Sequence, residues 1–331
     1  MNRFALVGLV LVGCASTGPE LLDEPVVDDD EIDQPVDPVE LEPRVSAIKH
    51  VFVIAMENHA DSSIYGNSDH APYIQTLLAS YGRANNFIDK RPSLPSEPHY
   101  VWMEAGTNEF SDHEFTGDGD PTASNSTSSV KHLSTQIEAA GSTWLSYQEG
   151  MNSTTGACPV RGSGNYAPKH DPFIFFQDVS GSTPSKTNAH CAAHHKPLTA
   201  LENDLATDQV AAYNFITPNN CHNMHSNFCS GAFDPIKQGD DWLAETVPMI
   251  IDYVNAHQGV LFIVWDEPEG STGKIPLIVV GPHVKPGHIS TYKYSHSSLV
   301  KTVELILKLP LLATVEHSNS FRPFFEPGFY P

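Results

Sequence analysis

The sequence predicts an α/β fold, a mostly parallel central sheet covered by helices on both faces. Three observations carry this. The runs Val51–Met56, Ala211–Thr217, Val260–Trp265 and Ile275–Val280 are almost continuously apolar or β-branched, as strands buried on both faces are. Segments of helical period lie between them, so strand and helix alternate along the chain. Three of the runs also end abruptly in polar residues: Glu57-Asn58, Pro218-Asn219-Asn220 and Asp266-Glu267. Open α/β sheets gather ligands outside the carboxyl ends of their strands, so these ends are where a site is expected.

The first residues read as a targeting segment. Arg3 supplies a positive charge, and Phe4 to Val12 form an apolar run too short to span a bilayer. Leu11-Val12-Gly13-Cys14 resembles the lipobox of bacterial lipoproteins. That resemblance implies a signal peptide over 1–13, cleavage before Cys14, and a membrane anchor of acyl chains on its thiol, at the outer membrane or cell surface. An ordinary secretory leader with an incidental cysteine is the alternative, and either one exports the chain. Residues 14–45, with Asp28-Asp29-Asp30-Glu31 and several prolines, lack the apolar groups to fold and repel themselves, so they read as an acidic tether. The formal charge of -22 divides into -9 for residues 1–45 and -13 for the rest. So acidic a surface argues against nucleic acid as a partner, because phosphate backbones need Lys and Arg to neutralise them.

Residues 46–331 form the predicted folded domain. After the opening strand, a helix is expected near Ala71–Ser80, followed by the proline-rich stretch Arg91–Pro98 and the short apolar run Val101–Met103. Val130–Ala140 has helical period and stops at Gly141, a normal residue just past a helix end, before a strand at Thr143–Tyr147. Residues 150–195, rich in Gly, Ser, Pro and His, read as loop or cap that shapes substrate access. Leu198–Thr207 is helical and leads into the Ala211–Thr217 strand. Trp242–Ala256 reads as a long helix kinked at Pro248, and it delivers the chain to Val260–Trp265. Leu299, Val303, Ile306 and Leu307 line one face of a closing helix. No internal repeat is visible.

Besides Cys14 there are Cys158, Cys191, Cys221 and Cys229, an even number in an exported chain, which predicts two disulfides. Of the three connectivities, Cys221–Cys229 with Cys158–Cys191 is preferred for the short separation of the first pair. A cysteine zinc site is disfavoured, since no Cys-x-x-Cys spacing occurs. Histidine is abundant, with 17 in all, and His190, His194 and His195 crowd around Cys191. Most read as surface or loop residues. His296, just before the closing helix, is the best placed to return to the carboxyl edge of the sheet.

Carboxylates and an amide at two strand ends are hard oxygen donors suited to a divalent cation. The turn Pro92-Ser93-Leu94-Pro95-Ser96 aims two hydroxyls rigidly, and a serine oxygen beside a cation is an activated nucleophile. Together Met56-Glu57-Asn58, Ser96-Glu97-Pro98-His99-Tyr100 with Trp102 and Glu104-Ala105-Gly106, Thr217-Pro218-Asn219, and Trp265-Asp266-Glu267 resemble the bacterial phosphoesterase family of acid phosphatases and phospholipases C, within the alkaline-phosphatase superfamily. The match runs in order over roughly residues 48–310. The resemblance implies a three-layer α/β/α sandwich and hydrolysis of phosphate esters through a covalent phosphoserine. By position, Glu57, Asn58, Ser96, Asp266 and Glu267 fall on metal ligands and Ser96 on the nucleophile. Asn219, His170 and His225 fall on positions lining the substrate phosphate. Where the family usually has Asn this chain has His99, which can also donate to phosphate but titrates near neutrality. Ser93 stays open as a competing nucleophile. Phosphatase is the leading expectation; a phospholipase C, or a metal-holding surface binding protein without turnover, is the alternative.

Overall fold

A computed structural model describes residues 47–151, 156–226, 229, 234–268 and 273–330. The leader, Cys14 and the tether to residue 45 lie outside them. The strands are β1 (His50–Met56), β2 (Gly82–Ala84), β3 (Trp144–Gln148), β4 (His195–Pro197), β5 (Tyr213–Thr217), β6 (Gly259–Trp265), β7 (Leu277–Val280) and β8 (Ile289–Ser290). They form one sheet in the order β4-β3-β5-β1-β6-β7-β2-β8. The sheet is mostly parallel, with β7 running antiparallel to both of its neighbours.

The central three strands, β5, β1 and β6, are parallel, so all three deliver their polar ends to one edge. Every residue of β5 and β6 is buried, as is all of β1 after His50, which is why their sequences show no alternation. The two faces carry different helices. On one, Phe52 meets Tyr253 of the helix Pro235–His257. On the other, Phe215, which pairs with Val53, meets Tyr100 of the helix Ser96–Ala105. The helix His296–Leu307 packs on Ser96–Ala105, whereas Pro72–Ser80 and Leu201–Ala206 pack on Pro235–His257. The result is the three-layer sandwich the sequence implies.

Several elements differ in extent from expectation. Ile275–Val280 forms a strand only over Leu277–Val280 and runs antiparallel, because an apolar run carries no direction. Val101–Met103 lies inside the Ser96–Ala105 helix rather than standing alone. Pro235–His257 is longer than predicted, with Pro at its first turn and Pro248 within it. Residues 150–195 include short helices at Pro168–His170, Pro172–Phe175, Gln177–Ser180 and Ala189–His194. Their apolar run is core rather than cap: Phe173 stacks on Trp144 with ring centroids 4.5 Å apart. The strands β2, β4 and β8, of two or three residues each, are too short to leave a sequence signature. Both expected disulfides, Cys158–Cys191 and Cys221–Cys229, are present, as suits an exported protein. Among the described residues no helix is long and apolar enough to cross a membrane.

Candidate active site

The register of β1 against β6 builds the site. Met56 pairs with Trp265, and Asp266 N–H continues the ladder by donating to Met56 C=O at 3.0 Å. Glu57 and Asp266 are therefore level where the strands stop. Asn58 turns the chain with φ 49°, a left-handed conformation Asn tolerates, and its N–H donates to Asp266 Oδ1 at 3.0 Å. Glu267 N–H donates to the same oxygen at 2.7 Å. Asp266 Oδ1 thus braces both strand ends, while its Oδ2 is buried without a hydrogen-bond partner.

Ser96 is the first residue of its helix, after Pro95 in extended conformation. Pro98 is tolerated because first-turn N–H groups need no intrahelical partner. The helix ends at Gly106 with φ 70°, where a Cβ would stand 2.3 Å from Val315 Cγ1, so only glycine fits. Ser96 is buried, and its Oγ–H has Glu57 Oε2 at 3.1 Å and Glu267 Oε1 at 3.3 Å. Lys169 Nζ lies 3.5 Å from the same Oγ and 2.6 Å from Asp118 Oδ2. Ser93 lies exposed in the turn before the helix.

The chemistry of this donor set fits a divalent cation. The Asn58 carboxamide oxygen faces only acceptors; with the amide turned, its nitrogen would stand 3.1 Å from Glu57 Oε2 and 3.2 Å from Glu267 Oε1. Glu57 and Glu267 thus converge on Ser96 Oγ and the Asn58 carboxamide, a set of hard oxygen donors whose charge a shared cation would offset. Burial pushes the Glu57 carboxyl up to about 8. Burial, with the charge of Asp266, does the same for Glu267, also to about 8. Asp266 is held well above the usual carboxylate range by burial and by Glu57. Carboxylates that resist ionisation alone are what a bound cation ionises.

The histidines divide by position. His170 is buried, and its Nε2 is 3.1 Å from Glu57 Oε1 but outside hydrogen-bond geometry. Burial and the Lys169 charge hold it well below its ordinary value, so it is neutral. His225 stands beside it, ring centroids 6.1 Å apart, also pushed down by burial and Lys169. His99 is fully buried with both ring nitrogens engaged, Nδ1 on Pro95 C=O at 2.9 Å and Nε2 on Asp89 Oδ1 at 3.0 Å. Burial lowers its pKa, but the Asp89 hydrogen bond and charge outweigh it and push His99 up to about 9. It lies locked behind the acidic cluster, and the Asp266 and Glu267 charges further favour its protonated form. His296 packs on His99 and puts Nε2 3.3 Å from Trp265 C=O; burial, with the charge of His99, pushes it down to about 4. Asn219 is a loop brace: its Oδ1 accepts from Cys221 N–H and its own N–H donates to Glu149.

Lys169 and Asp118 escaped sequence reasoning, although Lys169 adjoins His170. A lone lysine in a turn carries no signal, and Asp118 lies 51 residues away in a Gly-Asp-Gly-Asp loop. Tyr100, whose hydroxyl faces the Glu57 carboxyl, was visible only as a motif position.

The sequence model of the phosphoesterase family matches residues 91–310. The chain belongs to the phosphoesterase family. As a phosphoesterase it is a phosphoric ester hydrolase. It is 29% identical over 265 residues to a phosphatidylinositol-3-phosphatase of Mycobacterium tuberculosis, covering 79% of this chain and 77% of that one. A probable acid phosphatase of Kluyveromyces lactis is 26% identical over 281 residues, covering 81% of this chain but only 60% of its own length. Among solved structures, a protein of the alkaline phosphatase superfamily from Vibrio parahaemolyticus superposes with TM-score 0.54 at 9% identity, over 89% of this chain and 76% of that one. A phosphonate monoester hydrolase from Silicibacter pomeroyi superposes with TM-score 0.52 at 11% identity, over 86% and 78%. These two show the shared fold of this phosphoesterase.

Proposed function

We propose that this phosphoesterase is an exported phosphatase that cleaves phosphate monoesters through a covalent phosphoserine at Ser96. The observation that carries the reading is the Ser96 hydroxyl, buried, first in its helix, and set 3.1 Å from Glu57 Oε2 and 3.5 Å from Lys169 Nζ. Glu57, Asn58, Ser96, Asp266 and Glu267 would hold a divalent cation, which when bound supplies the charge that favours an ionised Ser96 oxygen and offsets negative charge on the phosphoryl group. In the first step Ser96 Oγ forms a bond to phosphorus and the ester oxygen leaves. The Oγ proton already has acceptors, Glu57 Oε2 and Glu267 Oε1. Lys169 Nζ and the positive end of the helix attract the non-bridging oxygens. His170 and His225, both neutral, offer N–H donors to the same oxygens. In the second step a water oxygen bonds to phosphorus, the Oγ–P bond breaks, and inorganic phosphate leaves.

The His99–Asp89 pair is a supporting charge rather than a phosphate donor in this reading, since neither ring nitrogen is free. Phosphatase is favoured over phospholipase C because the relatives above carry phosphatase names and phosphate is the group their substrates lose. Export is supported by the two disulfides, and a lipid anchor at Cys14 rests on the lipobox resemblance alone.

The test is phosphate release from an aryl phosphate and diacylglycerol release from phosphatidylcholine, with and without chelator, for wild type and Ser96→Ala. Phosphate release that chelator abolishes is expected, with more than about 1,000-fold lost in Ser96→Ala, the scale on which removing a covalent nucleophile is felt. Full activity in Ser96→Ala sinks the mechanism, and diacylglycerol release as the faster reaction reverses the choice of substrate class.

A further inference from the structure

The histidines around Cys191 take no part in the phosphatase site, yet two of them are arranged with unusual care. His190 and His194 are one turn apart on the helix Ala189–His194 and face Glu138 from the helix Leu133–Ala139. His190 Nε2 is 2.8 Å and His194 Nε2 3.5 Å from Glu138 Oε1, and one ligand atom from each residue lies within 4.8 Å of the others. We propose that Glu138, His190 and His194 form a second metal site, specific for a zinc-like divalent cation and separate from the oxygen-rich active site.

The orientation of each ring is fixed by backbone. His190 Nδ1 lies 3.1 Å from Asp178 C=O, and His194 Nδ1 lies 2.9 Å from His190 C=O. A carbonyl only accepts, so each Nδ1 carries a hydrogen and each Nε2 is the ring atom turned toward the Glu138 carboxylate. Metal-ligating imidazoles are held by a second hydrogen bond of this kind. His194 is the less exposed of the two histidines. Its ring is also clamped flat on Trp144, centroids 4.4 Å apart and planes 10° apart. The Trp144 indole N–H in turn donates to Glu138 Oε1 at 2.7 Å and orients the carboxylate.

Glu138 Oε1 already accepts the Trp144 N–H, yet both imidazole Nε2 atoms converge on it as well. A shared cation satisfies both. Tetrahedral zinc with ligands at about 2.0–2.1 Å sets neighbouring ligand atoms roughly 3.3 Å apart, between the two separations the structure shows to Glu138. Two imidazoles and one carboxylate select zinc and its neighbours over calcium or magnesium, which take oxygen ligands. The site would pin the helix carrying Cys191, and with it the Cys158–Cys191 disulfide, to the layer of helices on the sheet.

The test is a zinc titration of the chelator-stripped full chain against a competing chromophoric chelator. Wild type is compared with His190→Ala/His194→Ala and with Glu138→Gln, each also in a Glu57→Ala background so that active-site binding is removed. Glu138 and His190 are each more than a third exposed and His194 is 23% exposed, and Gln keeps the acceptor for Trp144, so these variants are expected to retain the fold, which native near-UV circular dichroism checks. Wild type and Glu57→Ala are each expected to bind one zinc equivalent more than their His190→Ala/His194→Ala counterparts, and zinc to raise the melting temperature of Glu57→Ala alone but not of the combined variant. Glu138→Gln is expected to weaken zinc binding at least about tenfold. Phosphate release by the metal-loaded double histidine variant should match wild type. Equal zinc stoichiometry with and without the two histidines, or weak binding that none of the variants changes, overturns the proposal.

Discussion

Lys169 is the most informative residue to change, because its position was set by folding alone. Its Nζ is 3.5 Å from Ser96 Oγ, so a phosphoryl oxygen on Ser96 falls within about 4 Å of the charge. At an effective dielectric of about 20, a unit charge pair at that distance is worth roughly 4 kcal/mol. Lys169 is 20% exposed and shares its charge with Asp118, so roughly half to three-quarters survives, about 2–3 kcal/mol. Lys169→Met should therefore lower kcat/KM for an aryl phosphate roughly 30- to 150-fold. It should weaken inhibition by inorganic phosphate in parallel, because the same oxygens are bound in product. Thermal stability should hold, since Asp118 is 34% exposed and is solvated when unpaired. Lys169→Arg should recover part of the loss. A kcat/KM for Lys169→Met within about threefold of wild type, a difference under about 0.7 kcal/mol, would falsify the role assigned to this lysine.

Four further outcomes are expected. Glu57→Ala should lose active-site metal and phosphate release together while near-UV circular dichroism stays native; metal retained at full stoichiometry at Ser96 contradicts the ligand assignment. His99→Asn, which restores the family's usual residue, should strip the buried Asp89 carboxylate of its charged partner and leave it the Arg91 N–H, at a cost of about 3–5 kcal/mol, read as a lower denaturant midpoint. The wild-type pair has a pH signature: because the folded His99 pKa is raised from 6.5 to about 9, its stabilisation is full below about 6.5 and is lost as pH rises through about 9. Stability that is unchanged across that window in wild type counts against the imidazolium. His296→Ala should reduce activity much more than His195→Ala, because His296 supports the Trp265–Asp266 turn whereas His195 sits in β4 against Asp171; equal losses would remove His296 from the site.

The sequence by itself determined the sheet and the edge at which its carboxylates gather. Val51–Met56 and Val260–Trp265 are apolar throughout because both faces are covered. Their abrupt change to Glu57-Asn58 and Asp266-Glu267 is legible because a strand end converts local polarity into position. The cysteine pairing was legible from the separation of Cys221 and Cys229. What only the tertiary structure decided is whatever depends on distant segments meeting. The direction of β7 and the pairing of the short strands β2, β4 and β8 come from neighbours that local pattern does not name. Histidine's role is decided the same way. His99 looked like a phosphate donor, but Asp89 and Pro95 occupy both of its nitrogens. His190 and His194 looked like loop residues, but helix geometry and Trp144 aim them at Glu138. Lys169 shows the limit most plainly: one ammonium on a flexible stem has no sequence signature, and only the fold brings it within 3.5 Å of the Ser96 hydroxyl. Apolar patterning fixes where strands run because burial acts residue by residue, whereas a charge acquires its function from the groups that the finished fold places around it.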